Sequence, residues 1–222
     1  MNKLKYRKEI TSLRFFAIIP VVLYHFDNSL ITSGYLGVDI FLVISGYLIS
    51  HKILYDIYSG QFSFKKFYNS RFKRLVPALV FLVLTINLIV FNFYTTSQLK
   101  EIYLTAIYSI FYISNIYFLN NTGYFDTNTG SQLYLHTWSL SIEEQFYLFM
   151  PVVLLLVVKK NKMKVLTVFI IFFTSLLSTI LLPLRYIDFK FYLLPFRMWE
   201  FLLGTLVAFY LLKNDTKIKF SN

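Results

Sequence analysis

Residues 75–94 and 165–184 are each 20 residues long and contain no charged side chain. As an α-helix, a segment of that length rises about 30 Å, the thickness of the hydrocarbon core of a bilayer. Further apolar runs occupy 13–31, 35–54, 140–158 and 191–212. A run at 101–119 is ambiguous: long enough to cross, yet rich in Tyr, Ser and Asn. In lipid each backbone polar group must be paired within its own segment, so these runs are expected to be helical. The fold class is therefore all-α, a polytopic transmembrane helix bundle with about six or seven spans. Composition agrees. Of the 222 residues 57% are hydrophobic and 15% charged, against about 25% charged in soluble domains. That balance excludes both a single water-soluble domain and a disordered chain.

Lys and Arg number 22 against 11 Asp and Glu, a net charge of +11. The positive residues gather between the apolar runs: Lys3 to Lys8, Lys65 to Arg74, Lys159 to Lys164 and Lys213 to Lys219. Basic clusters between spans are what the positive-inside bias produces, so the charge speaks for topology and against nucleic acid. Residues 55–74 are expected to be a cytoplasmic loop, with room for a short amphipathic helix, and 120–137 a polar loop. Pro77 is expected in the first turn of the third span, where a missing N–H costs little. All basic clusters share one side only if an even number of crossings separates 74 from 159, and three candidate segments lie there. Either 101–119 is re-entrant or tucked against the bundle, or one loop breaks the charge rule. Cysteine is absent, which removes disulfides and a thiol nucleophile.

Ionisable side chains at membrane depth are costly and normally face a cavity or a partner. Arg14 and His25 stand close to three helical turns apart, on one face and about 16 Å from each other along the axis. A histidine there suits proton exchange or transient acyl transfer, and an arginine suits a phosphate or carboxylate. Arg71 and Arg74 share a face if helical, as an anion clamp or as an ordinary basic loop. Glu143 and Glu144 point about 100° apart, so one can face the interior and the other a polar edge. Arg197 and Glu200 are spaced for an ion pair, with Gly204 on the same side giving room for another helix. No His and carboxylate set has metal-ligand spacing, and no nucleotide-binding glycine pattern occurs.

Five stretches together carry a resemblance. RFFAIIPVVLYH (14–25), GYLGVDIFLVISGYLIS (34–50), RFKRLVPAL (71–79), HTWSLSIEEQFYLFMP (136–151) and RMWEFLLG (197–204) resemble, in order, the motifs of the membrane-bound acyltransferase 3 family. The resemblance runs from about residue 5 to 212 and implies a multi-pass protein of the bacterial plasma membrane. It implies transfer of an acyl group, usually acetyl, from acyl-coenzyme A to a hydroxyl of a cell-envelope carbohydrate, a lipid-linked sugar or another exported acceptor. No permanently bound cofactor or metal is implied; acyl-coenzyme A is a substrate. Expected partners are membrane lipid, the acceptor and envelope-biosynthesis proteins. Matched by motif, His25, Glu143 and Glu144 are the catalytic candidates, and Arg14, Arg71 and Arg74 the donor-binding ones. Asp39, Trp138, Arg197 and Glu200 are expected to support the site. The family commonly has more spans than this chain offers, so 1–222 is expected to be a partial acyltransferase domain, cut after its N-terminal two thirds. Two other readings remain: a proton-coupled transporter, since His, Glu and Arg within a membrane also suit a proton relay, and an inactive membrane subunit.

Overall fold

A computed structural model describes residues 8–26, 31–121, 133–159 and 164–213, and among these every regular element is helical. In chain order they are α1 (Lys8–Phe26), α2 (Leu36–Tyr58), α3 (Phe64–Val90), α4 (Thr96–Ile110), α5 (Ser114–Asn121), α6 (Thr137–Lys159), α7 (Lys164–Leu181), α8 (Ile187–Tyr192) and α9 (Leu194–Lys213). Five of them, α1, α2, α3, α6 and α9, are individually long and apolar enough to cross a membrane. A sixth candidate joins 165–181 to 184–192 across a 115° bend. The protein is thus a multi-span helical membrane protein with five or six spans among the described residues, at or just under the number expected from hydropathy.

The basic stretch 55–74 is mostly helix rather than loop. α2 runs on to Tyr58, and α3 starts at Phe64, where Ser63 accepts a hydrogen bond from the Lys66 N–H. Only 59–63 connect them, with Gly60 at φ +69° supplying the left-handed turn residue. The charged residues of that stretch belong to helix ends that project past the apolar zone, so their polarity hid the helix. Pro77 accordingly lies in the interior of α3, not in its first turn. Of the expected polar loop 120–137, residues 122–132 lie outside the described residues, as do Lys3, Lys5, Arg7 and most of the later two basic clusters.

α2 and α9 form the central pair. They run parallel, with Asp39 beside Arg197 and Ser50 Oγ 2.7 Å from Thr205 Oγ1. Close approach is set by two glycines: a Cβ on Gly46 would strike the Phe201 carbonyl, and one on Gly204 the Val43 carbonyl. Small residues at such a crossing let backbones pack where lipid offers no hydrophobic drive to association. α6 lies alongside, its Phe146 ring stacked on Phe201 at 4.2 Å between centroids. α1 packs on α2 through the buried Ala17, while Phe15, Phe16 and Val22 face outward. Outward apolar side chains also cover α3 (Phe81, Leu84, Leu88) and α7 (Ile170, Phe173, Leu177), as lipid-facing surfaces require.

The segment 101–119 does not cross. α4 and α5 meet at an elbow, residues 111–113, where Tyr112 takes the left-handed conformation at φ 56°. The Ser and Asn residues that made this run ambiguous hold the elbow against α6. Thr137 Oγ1 lies 2.8 Å from Ser109 Oγ and 2.9 Å from Ser114 Oγ, and Ser114 lies 2.8 Å from Ser141. Gln145 donates to the Tyr112 carbonyl at 3.1 Å and to Asn115 Oδ1 at 2.9 Å. The start of α6 lies at the level of the end of α1, His136 against His25, and its middle at the level of the start of α3, Tyr68 Oη donating to the Leu148 carbonyl. α3 and α6 therefore cross in opposite senses with a re-entrant elbow between them. That gives the even number of crossings by which every basic cluster falls on one side, the cytoplasmic one by the charge rule.

Candidate functional site

His25 sits in the last turn of α1 and reaches His136, the residue before α6, with ring centroids 4.5 Å apart and planes at 83°. Sequence spacing could not pair these rings, because they come from segments far apart in the chain. Both line a cavity of about 300 Å³ with Val21, Val22, Val38, Trp138 and Ser139. His136 stands outside the spanning part of α6, and the loss of solvation against its neighbours lowers its pKa from the ordinary 6.5. It is therefore neutral at pH 7, with one ring nitrogen able to accept a proton.

Trp138 forms the floor of this cavity and is held from below. Its ring packs on Phe191 at 4.4 Å and on Tyr192 at 5.6 Å. The Arg197 guanidinium lies 5.7 Å from the Trp138 ring centre and 4.8 Å from that of Phe191. Arg197 Nη1 donates to Asp39 Oδ1 and to Glu200 Oε1, both at 2.6 Å, and its Nε donates to the Phe191 carbonyl at 3.2 Å. The expected Arg197–Glu200 pair is thus a three-way network that includes Asp39 from α2. Such a buried cation is tolerable because it is paired twice and hydrogen-bonded besides.

Two turns further along α6 the adjacent glutamates part, as their 100° offset requires. Glu143 is buried, accepts a hydrogen bond from Ser45 Oγ, and is within hydrogen-bonding reach of Tyr147. Arg14 and Arg71 both act on it electrostatically. Arg14 itself, half-buried, lies 5.4 Å from the Phe41 ring centre. Glu144 turns the other way, into a second cavity of about 340 Å³ lined by Tyr68, Asn69, Arg71, Phe72, Leu75, Val76 and Tyr112. Arg71 is half-buried there, 5.1 Å over the Tyr147 ring and 5.9 Å over Phe67. Arg74 is exposed and does not line this cavity, so the two arginines share a helix face without closing on one point.

The predicted residues thus fall in two chambers. The outer one holds His25 over Trp138 and the Arg197 network. The inner one, toward the basic face, holds Arg71 and Glu144. Glu143, with Arg14 and Arg71 acting on it, lies between. His136 and Glu144 are eight residues apart on or at the start of one helix, about 12 Å. Sequence reasoning missed His136 as the neighbour of His25, Tyr147 as a partner of Glu143, and Tyr112 as a wall of the inner chamber. His136 was visible as a polar residue next to the Trp138 stretch; the two tyrosines were hidden among 18. Among the described residues no group of three or more His, Asp or Glu is placed to hold a metal ion.

Comparison with known proteins fits this arrangement. The family profile described as an acyltransferase domain matches residues 7–221. A peptidoglycan O-acetyltransferase, OatA, of Listeria monocytogenes is 38% identical over 185 residues, which is 82% of this chain and 30% of that protein. The O-acetyltransferase OatA of Staphylococcus aureus is 39% identical over 179 residues, 78% of this chain and 29% of its own length. The chain therefore spans under a third of the length of these curated relatives. No solved structure matches. With its motifs in order, its histidine-lined chamber between helices and a profile match along nearly its whole length, the chain belongs to the acyltransferase domain family.

Proposed function

We propose that this protein transfers an acetyl group from acetyl-coenzyme A to a hydroxyl of a cell-envelope carbohydrate, peptidoglycan being the acceptor named for the Listeria relative. The observation that carries the reading is His25 set against His136 in a chamber that opens between α1, α2 and α6. In the transfer His25 takes the proton of the acceptor hydroxyl. The hydroxyl oxygen attacks the thioester carbonyl carbon, the C–S bond breaks, and the departing thiolate receives the proton from the imidazole. His136, neutral at pH 7, steadies the His25 ring and spreads the charge it acquires. Arg71 meets the donor phosphates near the basic face, with Arg74 adding long-range attraction from the exposed rim. Arg14 and Glu143 line the path between the chambers, and the Arg197 network fixes Trp138 beneath the reacting group. Membrane lipid and envelope-biosynthesis proteins are the expected surroundings.

The test is transfer of labelled acetyl from acetyl-coenzyme A to a soluble muropeptide by the reconstituted chain. Transfer is expected, and His25→Ala is expected to abolish it at normal membrane abundance. A carrier would instead move substrate across the vesicle without consuming donor, and donor-independent uptake with no acetylated product would replace the transferase reading.

A further inference from the structure

The inner chamber contains two buried polar atoms that bond to nothing. Tyr112 Oη and Glu144 Oε1 are both shielded from solvent and both lack a hydrogen-bond partner, each other included. A buried donor or acceptor left unmet costs roughly 1–3 kcal/mol, so such pairs in a native cavity call for a ligand. The backbone adds an independent sign. Tyr112 is the non-glycine residue held at positive φ, among the described residues, and Gln145 clamps its carbonyl. Strain held in place by a neighbouring side chain is typical of residues positioned for binding. Burial and the nearby Glu144 carboxylate push the Tyr112 phenol up from its usual pKa of 10.0, so it remains an O–H donor.

The chamber thus offers one hydrogen-bond donor and one acceptor, at separate points, between the apolar walls of Phe72, Leu75 and Val76. A ligand hydroxyl presents donor and acceptor at a single oxygen. A secondary amide presents them on opposite sides of a short planar unit, with methylenes to either side for the apolar walls. Resting on the coenzyme A reading above, we infer that Tyr112 Oη and Glu144 Oε1 form a secondary-amide site for the pantetheine arm of the donor. Tyr112 donates to an amide carbonyl and Glu144 accepts an amide N–H. With Arg71 at the same chamber, phosphate and amide recognition lie side by side, and the arm is directed along α6 toward His25.

The test uses the full chain in detergent and two halves of the donor. Pantetheine carries the amides without phosphate on its arm or nucleotide; 3′,5′-ADP carries phosphates without an amide. Tyr112→Phe is expected to weaken pantetheine binding about 3- to 10-fold and Glu144→Gln by less, since glutamine keeps a neutral acceptor. Affinity for 3′,5′-ADP is expected to be unchanged in Tyr112→Phe. Thermal unfolding of Tyr112→Phe should be unchanged or raised, because the lost hydroxyl had no partner, which separates lost recognition from lost structure. Equal pantetheine affinity in wild type and Tyr112→Phe, or no pantetheine binding by wild type, overturns the proposal. Pantetheine bound and weakened by Tyr112→Phe, with 3′,5′-ADP not bound at all, supports the amide site and overturns the coenzyme A reading instead.

Discussion

His136 gives the residue-scale account a measurable pH signature. Its pKa in the fold lies below the 6.5 of the free side chain. The unfolded chain therefore takes up a proton, as pH falls through about 6.5, that the folded chain resists. This contribution to stability is complete at pH 7 and above and declines on acidification. Thermal unfolding in detergent at about pH 7.5 and about pH 5.5 should show a smaller drop for His136→Gln than for the wild type. An identical drop would remove His136 from the titrating groups. Arg197 is tested by the neighbours it leaves behind. Arg197→Ala strands Asp39 and the buried Glu200 without their cation and withdraws the charge beneath Trp138. Loss of one partner from a buried pair typically costs about 3–5 kcal/mol. Arg197→Lys keeps the charge but not the fork that reaches Asp39, Glu200 and the Phe191 carbonyl, so it should fall between alanine and wild type in detergent stability. Several of these residues were legible in the sequence because charge in an apolar run has few harmless explanations. The opposed directions of Glu143 and Glu144 followed from helical geometry alone. The pairing of His25 with His136 did not, because it is made by the packing of α1 on α2 and α6.

At the scale of elements, the α2–α9 crossing and the α4–α5 elbow each make a definite prediction. Adding a methyl at Gly46 or at Gly204 drives a side chain into the backbone of the facing helix. Either Gly→Ala change should destabilise by about 1–3 kcal/mol, read as a lower midpoint of thermal unfolding in detergent. It should also disturb the Arg197–Asp39 contact one turn or two away. The elbow is tested by labelling, for which the chain has no native cysteine to remove. Single cysteines at Ser97 and Asn121 should both react with an impermeant thiol reagent from the face opposite to one at Gln61. Opposite sidedness of 97 and 121 would mean that the segment crosses. This elbow shows where hydropathy stops being informative. It breaks at Tyr112 without a glycine or proline, and its Ser and Asn side chains are spent on α6. A window average over 101–119 sees only a weak span. The start of α3 was hidden for the converse reason, since the charges of 65–74 sit on helix turns beyond the apolar zone.

For the whole molecule, two chambers at different depths define the account. The basic face leads to Arg71 and Glu144; the opposite face leads to His25, His136 and Trp138. Crossing count, charge distribution and the level at which α6 meets α1 and α3 agree on that orientation. A transferase built this way receives its donor on one side and acylates its hydroxyl near the other. The most direct measurement uses vesicles holding the chain in one orientation, with labelled acetyl-coenzyme A confined to the side of the basic face and a muropeptide to the other. The account predicts labelled acetyl on the muropeptide, lost in His25→Ala and reduced in Arg71→Lys through weaker donor binding. Label appearing only when donor and muropeptide share one side, or undiminished transfer by His25→Ala, would contradict it.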